Sequence, residues 1–252
     1  MSTHESAPQG PIDLSTHALK AACATCNIRE LCVPGGIASE DIERLDQLVA
    51  RRKKVKKGAA LFNAGDEFQS LFAVRTGFFK TCIQLPNGED QITGFQMPGE
   101  LLGLDGVANE QHNVEARALV DSELCVLPYN DLERIARDFR PLQHQLHRLM
   151  SREIVRENSV LMLLGSMRAE ARVAAFLVNL SERFRRLGFS SDEFLLRMTR
   201  SEIGSYLGLK LETVSRTFSK LQERGIIAID KKLIHILDQP ELRKITKGEA
   251  EL

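Results

Sequence analysis

The 252-residue chain is 43% hydrophobic and 27% charged, the balance of a globular protein with room for one large domain or two of ordinary size. Its formal net charge is zero, yet residues 168–252 carry 16 Lys and Arg against 12 Asp and Glu, a net +4, which leaves −4 on residues 1–167. That split permits a nucleic-acid-binding C-terminal half. No apolar run approaches the roughly 18 residues of a membrane span, and the N-terminus lacks the pattern of a signal peptide. A cytoplasmic protein with reduced thiols and no membrane partner is expected, and an odd number of cysteines, five, argues against a disulfide framework.

Residues 1–18 mix Ser, Thr, Pro, Gly and His without periodicity and are expected to be disordered. Cys23, Cys26 and Cys32 follow with C-x2-C-x5-C spacing. Thiolates this crowded repel one another unless a metal neutralises them, and an iron–sulfur or zinc centre suits such loops. The spacing leaves the fourth position open to Cys125, Cys82, another side chain or solvent. After the breaker Pro34-Gly35-Gly36, Ser39–Val49 reads as a short amphipathic helix with Ile42, Leu45, Leu48 and Val49 on one face.

From Arg51 to about Pro128, short apolar or alternating runs are separated by glycines, the texture of a compact antiparallel barrel or jelly roll. The runs are 60–62, 71–74, 78–85, 91–95, 115–120 and 123–127. Pro86-Asn87-Gly88-Glu89 is a hairpin tip, because Asn-Gly tolerates the positive φ of such turns. Alternation puts Cys82 on one face with Lys80 and Gln84, so a surface or half-buried thiol is expected there. A cyclic-nucleotide site would need a basic residue after the Gly99-Glu100 segment, and none comes before Arg117. The six histidines have no zinc-binding or catalytic spacing.

Near Pro141 a long helix begins. Leu146, Met150, Ile154, Glu157, Leu161 and Leu164 recur at coiled-coil spacing, and Val160–Leu164 is apolar on all sides. This is the expected homodimer axis. Glu157 on the seam would face its symmetry mate, and two carboxylates in a desolvated interface repel. That is the weakness a switch between monomer and dimer requires. Residues 168–187 form a further amphipathic helix stopped by Gly188.

Thr199-Arg200-Ser201-Glu202 is a capping box that opens a short helix ending at Leu207-Gly208-Leu209, and a second helix runs from Leu211 to about Arg224. Ile203, Leu207, Leu209, Val214 and Phe218 would pack the pair, with Gly204 allowing close approach and Gly208 making the turn. This is a helix-turn-helix, and the hairpin at 226–237 with Lys231-Lys232 at its tip is a wing. After Gln239 the tail reads as polar and featureless. Glu212, Ser215 and Arg216 stand at the exposed edge of the second helix, where Arg can bond guanine, Glu the cytosine amino group and Ser either sort of partner. Thr199, Arg200, Ser201, Lys210, Thr213, Lys220 and the Lys231-Lys232 tip are candidates for phosphate contact.

Residues 17–237 resemble the FNR branch of the CRP/FNR bacterial transcription regulators. The resemblance rests on the order of these parts and on Leu31-Cys32-Val33-Pro34, Gly88–Phe95, Ala174-Ala175-Phe176 and Glu212-Thr213-Val214-Ser215-Arg216. It implies an α+β chain: a Cys-rich arm (1–36), a cyclic-nucleotide-binding-like β-roll (37–140), a dimerisation helix (141–167) and a winged helix-turn-helix (168–252). It implies further a [4Fe–4S] cluster on Cys23, Cys26, Cys32 and Cys125, converted to [2Fe–2S] by oxygen and then lost, with no cyclic nucleotide. The cluster-loaded homodimer would bind a palindrome resembling TTGAT-N4-ATCAA, and Gly88 would face RNA polymerase. Two other readings remain: such a regulator with a structural zinc or another effector, and an iron–sulfur electron-transfer protein.

Overall fold

The computed structural model describes residues 51–250. The cysteines at 23, 26 and 32, the expected disorder of 1–18 and the expected helix at 39–49 lie outside these residues. β1 (Arg51–Val55), β2 (Ala60–Phe62), β3 (Ser70–Thr76), β4 (Phe79–Gln84), β5 (Asp90–Gln96), β6 (Leu101–Leu102), β7 (Glu115–Ala118) and β8 (Ser122–Pro128) build two antiparallel sheets, ordered β1-β8-β3-β6 and β2-β7-β4-β5. Alternating side chains, among them Leu61, Val74, Phe79, Ala116 and Leu124, fill the space between the sheets as a jelly roll requires.

The chain then enters α1 (Tyr129–Asp138), a short helix that the strand pattern conceals, and α2 (Arg140–Ser166), with Pro141 in its first turn. Leu132, Ala136, Phe139 and Leu142 cover Phe68 and Leu71 at the end of the roll. α3 (Ala169–Arg186) buries Val173, Ala174, Phe176, Leu177 and Leu180. After β9 (Glu193–Leu195) come α4 (Arg200–Leu207), α5 (Leu211–Glu223), β10 (Ile227–Asp230), β11 (Leu233–Ile236) and α6 (Gln239–Lys247).

Two readings of the sequence change here. The tail is not featureless: Asp238 caps α6, whose Leu242 and Ile245 are buried, and α6 packs on α3. The wing is three-stranded, ordered β10-β11-β9. No described helix is long and apolar enough to cross a membrane.

The outer face of the β2-β7-β4-β5 sheet is not open to solvent. Phe78, Cys82, Ile92, Phe95 and Met97 join one apolar core with α3, α4 and α5. Cys82 is only 3% exposed. Alternation groups Cys82 correctly with Lys80, but the face they share is covered by the C-terminal domain, which strand periodicity alone does not reveal.

Candidate DNA interface and cysteine site

The helix-turn-helix is set by side chains next to its backbone. Thr199 Oγ1 accepts from the Glu202 amide at 3.1 Å, and Glu202 Oε2 accepts from the Thr199 amide at 2.7 Å, closing the capping box that starts α4. Gly208 ends the helix at φ 62°, in the left-handed region. At Gly204 a Cβ would lie 2.6 Å from the Leu209 carbonyl oxygen, so only glycine lets the turn close this tightly.

On α5, Val214, Thr217, Phe218 and Leu221 face inward, a repeat of three and four residues. The opposite face carries Glu212 and Arg216 in full exposure and Ser215 half-buried. All three predicted base-reading residues thus stand along one side of the second helix. The phosphate candidates divide. Ser201 and Lys210 are exposed, and Thr199 is exposed at the N-terminus of α4. Thr213 is half-buried, and Lys220 Nζ lies 3.4 Å from Glu170.

Arg200 departs from expectation. Its guanidinium lies over the Phe218 ring, 3.2 Å from the centroid, and burial lowers its pKa to about 10. It belongs to the packing of the two helices more than to the phosphate-facing set. At the wing tip Lys231 and Lys232 are exposed, Lys231 at φ 55°.

Cys125 lies on β8 between buried Leu124 and Val126 and points out of the roll, half-buried. Its cross-strand neighbours are Arg52 on β1 and Ala73 on β3. Two positions along the same face, Glu123 receives Arg75 Nη1 at 2.9 Å and lies 3.5 Å from Arg52 Nε. At the buried Cys82, burial, then the Glu115 and Asp90 carboxylates, push the pKa up. Of these two, Cys125 is the half-buried thiol on the outward side of β8, and Cys82 is sealed from any ligand outside its core.

α2 carries the residues expected on the seam. Met150, Ile154 and Leu161 are 37%, 57% and 66% exposed, an apolar row on a free helix face, with Glu157 exposed between them. Leu164 is half-buried instead, beside the turn at Gly208. Arg156 turns away from the seam to Glu100, at 3.1 Å, and to Glu153. Arg172 binds the end of α2 to the helix-turn-helix: Nη2 donates to the Leu164 carbonyl at 2.8 Å, Nε to Met167 at 2.9 Å and Nη1 to Leu207 at 3.1 Å. Neither periodicity nor motif singles Arg172 out, because its partners are main-chain atoms.

Gly88 sits at the exposed tip of the β4–β5 hairpin with φ 82°, its amide donating to Leu85 O at 2.8 Å. Near the other end of the roll, Asp105 Oδ2 accepts from the amides of Asn113 and Val114 at 2.7 and 3.2 Å, and Glu100 is held by Arg183 and Arg156.

The profile of the cyclic nucleotide-binding domain matches residues 52–139, and that of the Crp-like helix-turn-helix domain matches residues 171–245. The chain is 44% identical over 241 residues to the transcriptional activator protein Anr of Pseudomonas protegens, covering 96% of this chain and 98% of that one. It is 42% identical to the fumarate and nitrate reduction regulatory protein of Vibrio cholerae, covering 91% and 92%. Among solved structures, FixK2 from Bradyrhizobium japonicum superposes with a TM-score of 0.71 at 27% identity, covering 77% of this chain and 96% of that one. With a β-roll, a long helix and a winged helix-turn-helix in the order of these relatives, the chain belongs to the FNR branch of the CRP/FNR family of transcription regulators.

Proposed function

We propose that this protein is an oxygen-responsive regulator of anaerobic genes. A [4Fe–4S] cluster held by Cys23, Cys26, Cys32 and Cys125 promotes dimerisation through α2, and the dimer reads a palindrome resembling TTGAT-N4-ATCAA. The observation that carries the reading is the contrast between the two described cysteines: Cys125 is half-buried on β8, on the side away from the core of the roll, whereas Cys82 is sealed in an apolar core. When bound, the cluster supplies a reaction with oxygen that destroys it. The chain's own residues supply the rest. Arg52, opposite Cys125 in the strand register, and Arg75 both pair with Glu123 on the same face, and the exposed row on α2 meets its symmetry mate. Glu212, Ser215 and Arg216 read base edges, while Thr199, Ser201, Lys210, Thr213, Lys220 and the wing tip lie nearer phosphate. The arm at 1–36, the roll at 37–140, the helix at 141–167 and the domain at 168–252 would divide the work, with Gly88 offered to RNA polymerase.

Cyclic nucleotide is not the effector in this reading: no basic residue follows the Gly99-Glu100 segment before Arg117, and Glu100 is engaged by two arginines.

Anaerobic purification with absorption and Mössbauer spectra tests the proposal. Serine at any of positions 23, 26, 32 or 125 should prevent cluster assembly, whereas Cys82→Ser should retain it. A colourless protein with one stoichiometric zinc, or loss of the cluster in Cys82→Ser, would overturn the assignment.

A further inference from the structure

The C-terminal domain is seated on the β-roll by two polar clusters with an aromatic bridge between them. At one end Lys80 Nζ meets Glu202 Oε1 at 2.9 Å, both side chains less than a fifth exposed. Beside it the Ser205 hydroxyl accepts from the Ile92 amide at 2.9 Å and donates to Asp90 O at 3.1 Å, and Gln91 Nε2 donates to the Ser205 carbonyl. At the other end Glu100 takes Arg183 Nε at 2.9 Å and Nη2 at 2.6 Å, and Arg183 also reaches Phe95 O at 2.5 Å. Between them Phe95 packs edge-on against Phe176 and Tyr206, with centroids 6.1 and 5.1 Å away. Each contact joins the roll to α3 or α4, and none of these side chains lies on the base-reading face of α5.

A dimer that reads two half-sites must hold its recognition helices about one DNA turn apart, roughly 34 Å. If each helix-turn-helix were tethered to α2 only at its end, through Met167, Arg168 and the Arg172 hydrogen bonds, it could still swing about that joint, and ordering it on DNA would reduce affinity. We propose that Lys80, Gln91 and Ser205, together with the Glu100–Arg183 pair, are positioning residues that set the half-site spacing the dimer accepts. The inference rests on the palindrome reading above and adds the residues that impose the spacing. Glu202 has two tasks: its one carboxylate caps α4 and anchors it to the roll.

The test compares the anaerobic, cluster-loaded wild type with the double variant Lys80→Ala, Ser205→Ala on duplexes carrying two TTGAT-like half-sites separated by four, five or six base pairs, and on a single half-site. Loss of these partly buried hydrogen bonds should weaken four-base-pair binding about tenfold. The preference over longer spacers should fall with it, single half-site binding should be unchanged, and Lys80→Arg should behave as wild type. Equal loss on every duplex, or an unchanged spacer preference, would overturn the proposal. Hydrogen exchange at the Ile92 amide supplies a readout without DNA, protected in the wild type and fast in the variant. A wild type that ignores spacer length while Ile92 protection still depends on Ser205 would sink the palindrome reading and the spacing role, leaving only a domain contact. An unprotected Ile92 in the wild type would sink the contact itself.

Discussion

At the scale of the residue, Arg216 and Arg200 show how position decides what one side chain does. Both are arginines of the helix-turn-helix, yet one projects from α5 and the other lies over Phe218. Arg216→Ala should reduce discrimination at the guanine of each half-site by about 1–3 kcal/mol, checked by titrating operators with single base changes. An equal loss on all sequences would instead assign Arg216 to phosphate. The capping box, Gly204 and Gly208 were legible in the sequence because their work is local: a hydroxyl three residues from an amide, a missing Cβ, a positive φ. Cys82 was not, since its burial comes from α3 and α4, more than ninety residues further along the chain.

At the scale of the element, the two sheets, the hairpin at Gly88, α2 and the helix pair follow from periodicity and turn residues. α1 and α6 escaped for different reasons. α6 buries only Leu242 and Ile245 and otherwise reads as polar. The spacing of Leu132, Ile135, Ala136 and Phe139 is helical, but it follows a strand without a break. The candidate cysteines were legible in the sequence, and the fold adds their surroundings: Cys125 half-buried on β8, Cys82 buried. On α2 the exposed Glu157 interrupts the apolar row, and in a symmetric dimer it meets its own copy. Glu157→Ala should shift the cluster-free protein from monomer toward dimer, measured by sedimentation in air. A variant that stays monomeric would count against a gating role.

At the scale of the whole molecule, the union of roll and C-terminal domain depends on two carboxylates. Burial works to raise the pKa of Glu100, but Arg183 and then Arg156 hold it below the usual carboxylate range. Burial likewise opposes Glu202, which the Thr199 amide and Lys80 hold low. A depressed folded-state pKa contributes stability above the unfolded value, near 4.3 for glutamate, and that contribution is lost as pH falls through the folded value. Ile92 amide protection should therefore hold from neutrality to about pH 5 and fall away below about pH 4. Protection that vanished already at pH 6 would implicate other groups.

Arg172 has a mechanical consequence. Its guanidinium spans three carbonyls at the ends of α2 and α4, where backbone dipoles leave negative charge and a cation is favoured. Arg172 therefore ties the long helix to the reading head at one point, and the contacts with the roll fix the angle about it. A roll of α2 about its axis would be carried to the far tip as an arc whose length grows with distance from the axis.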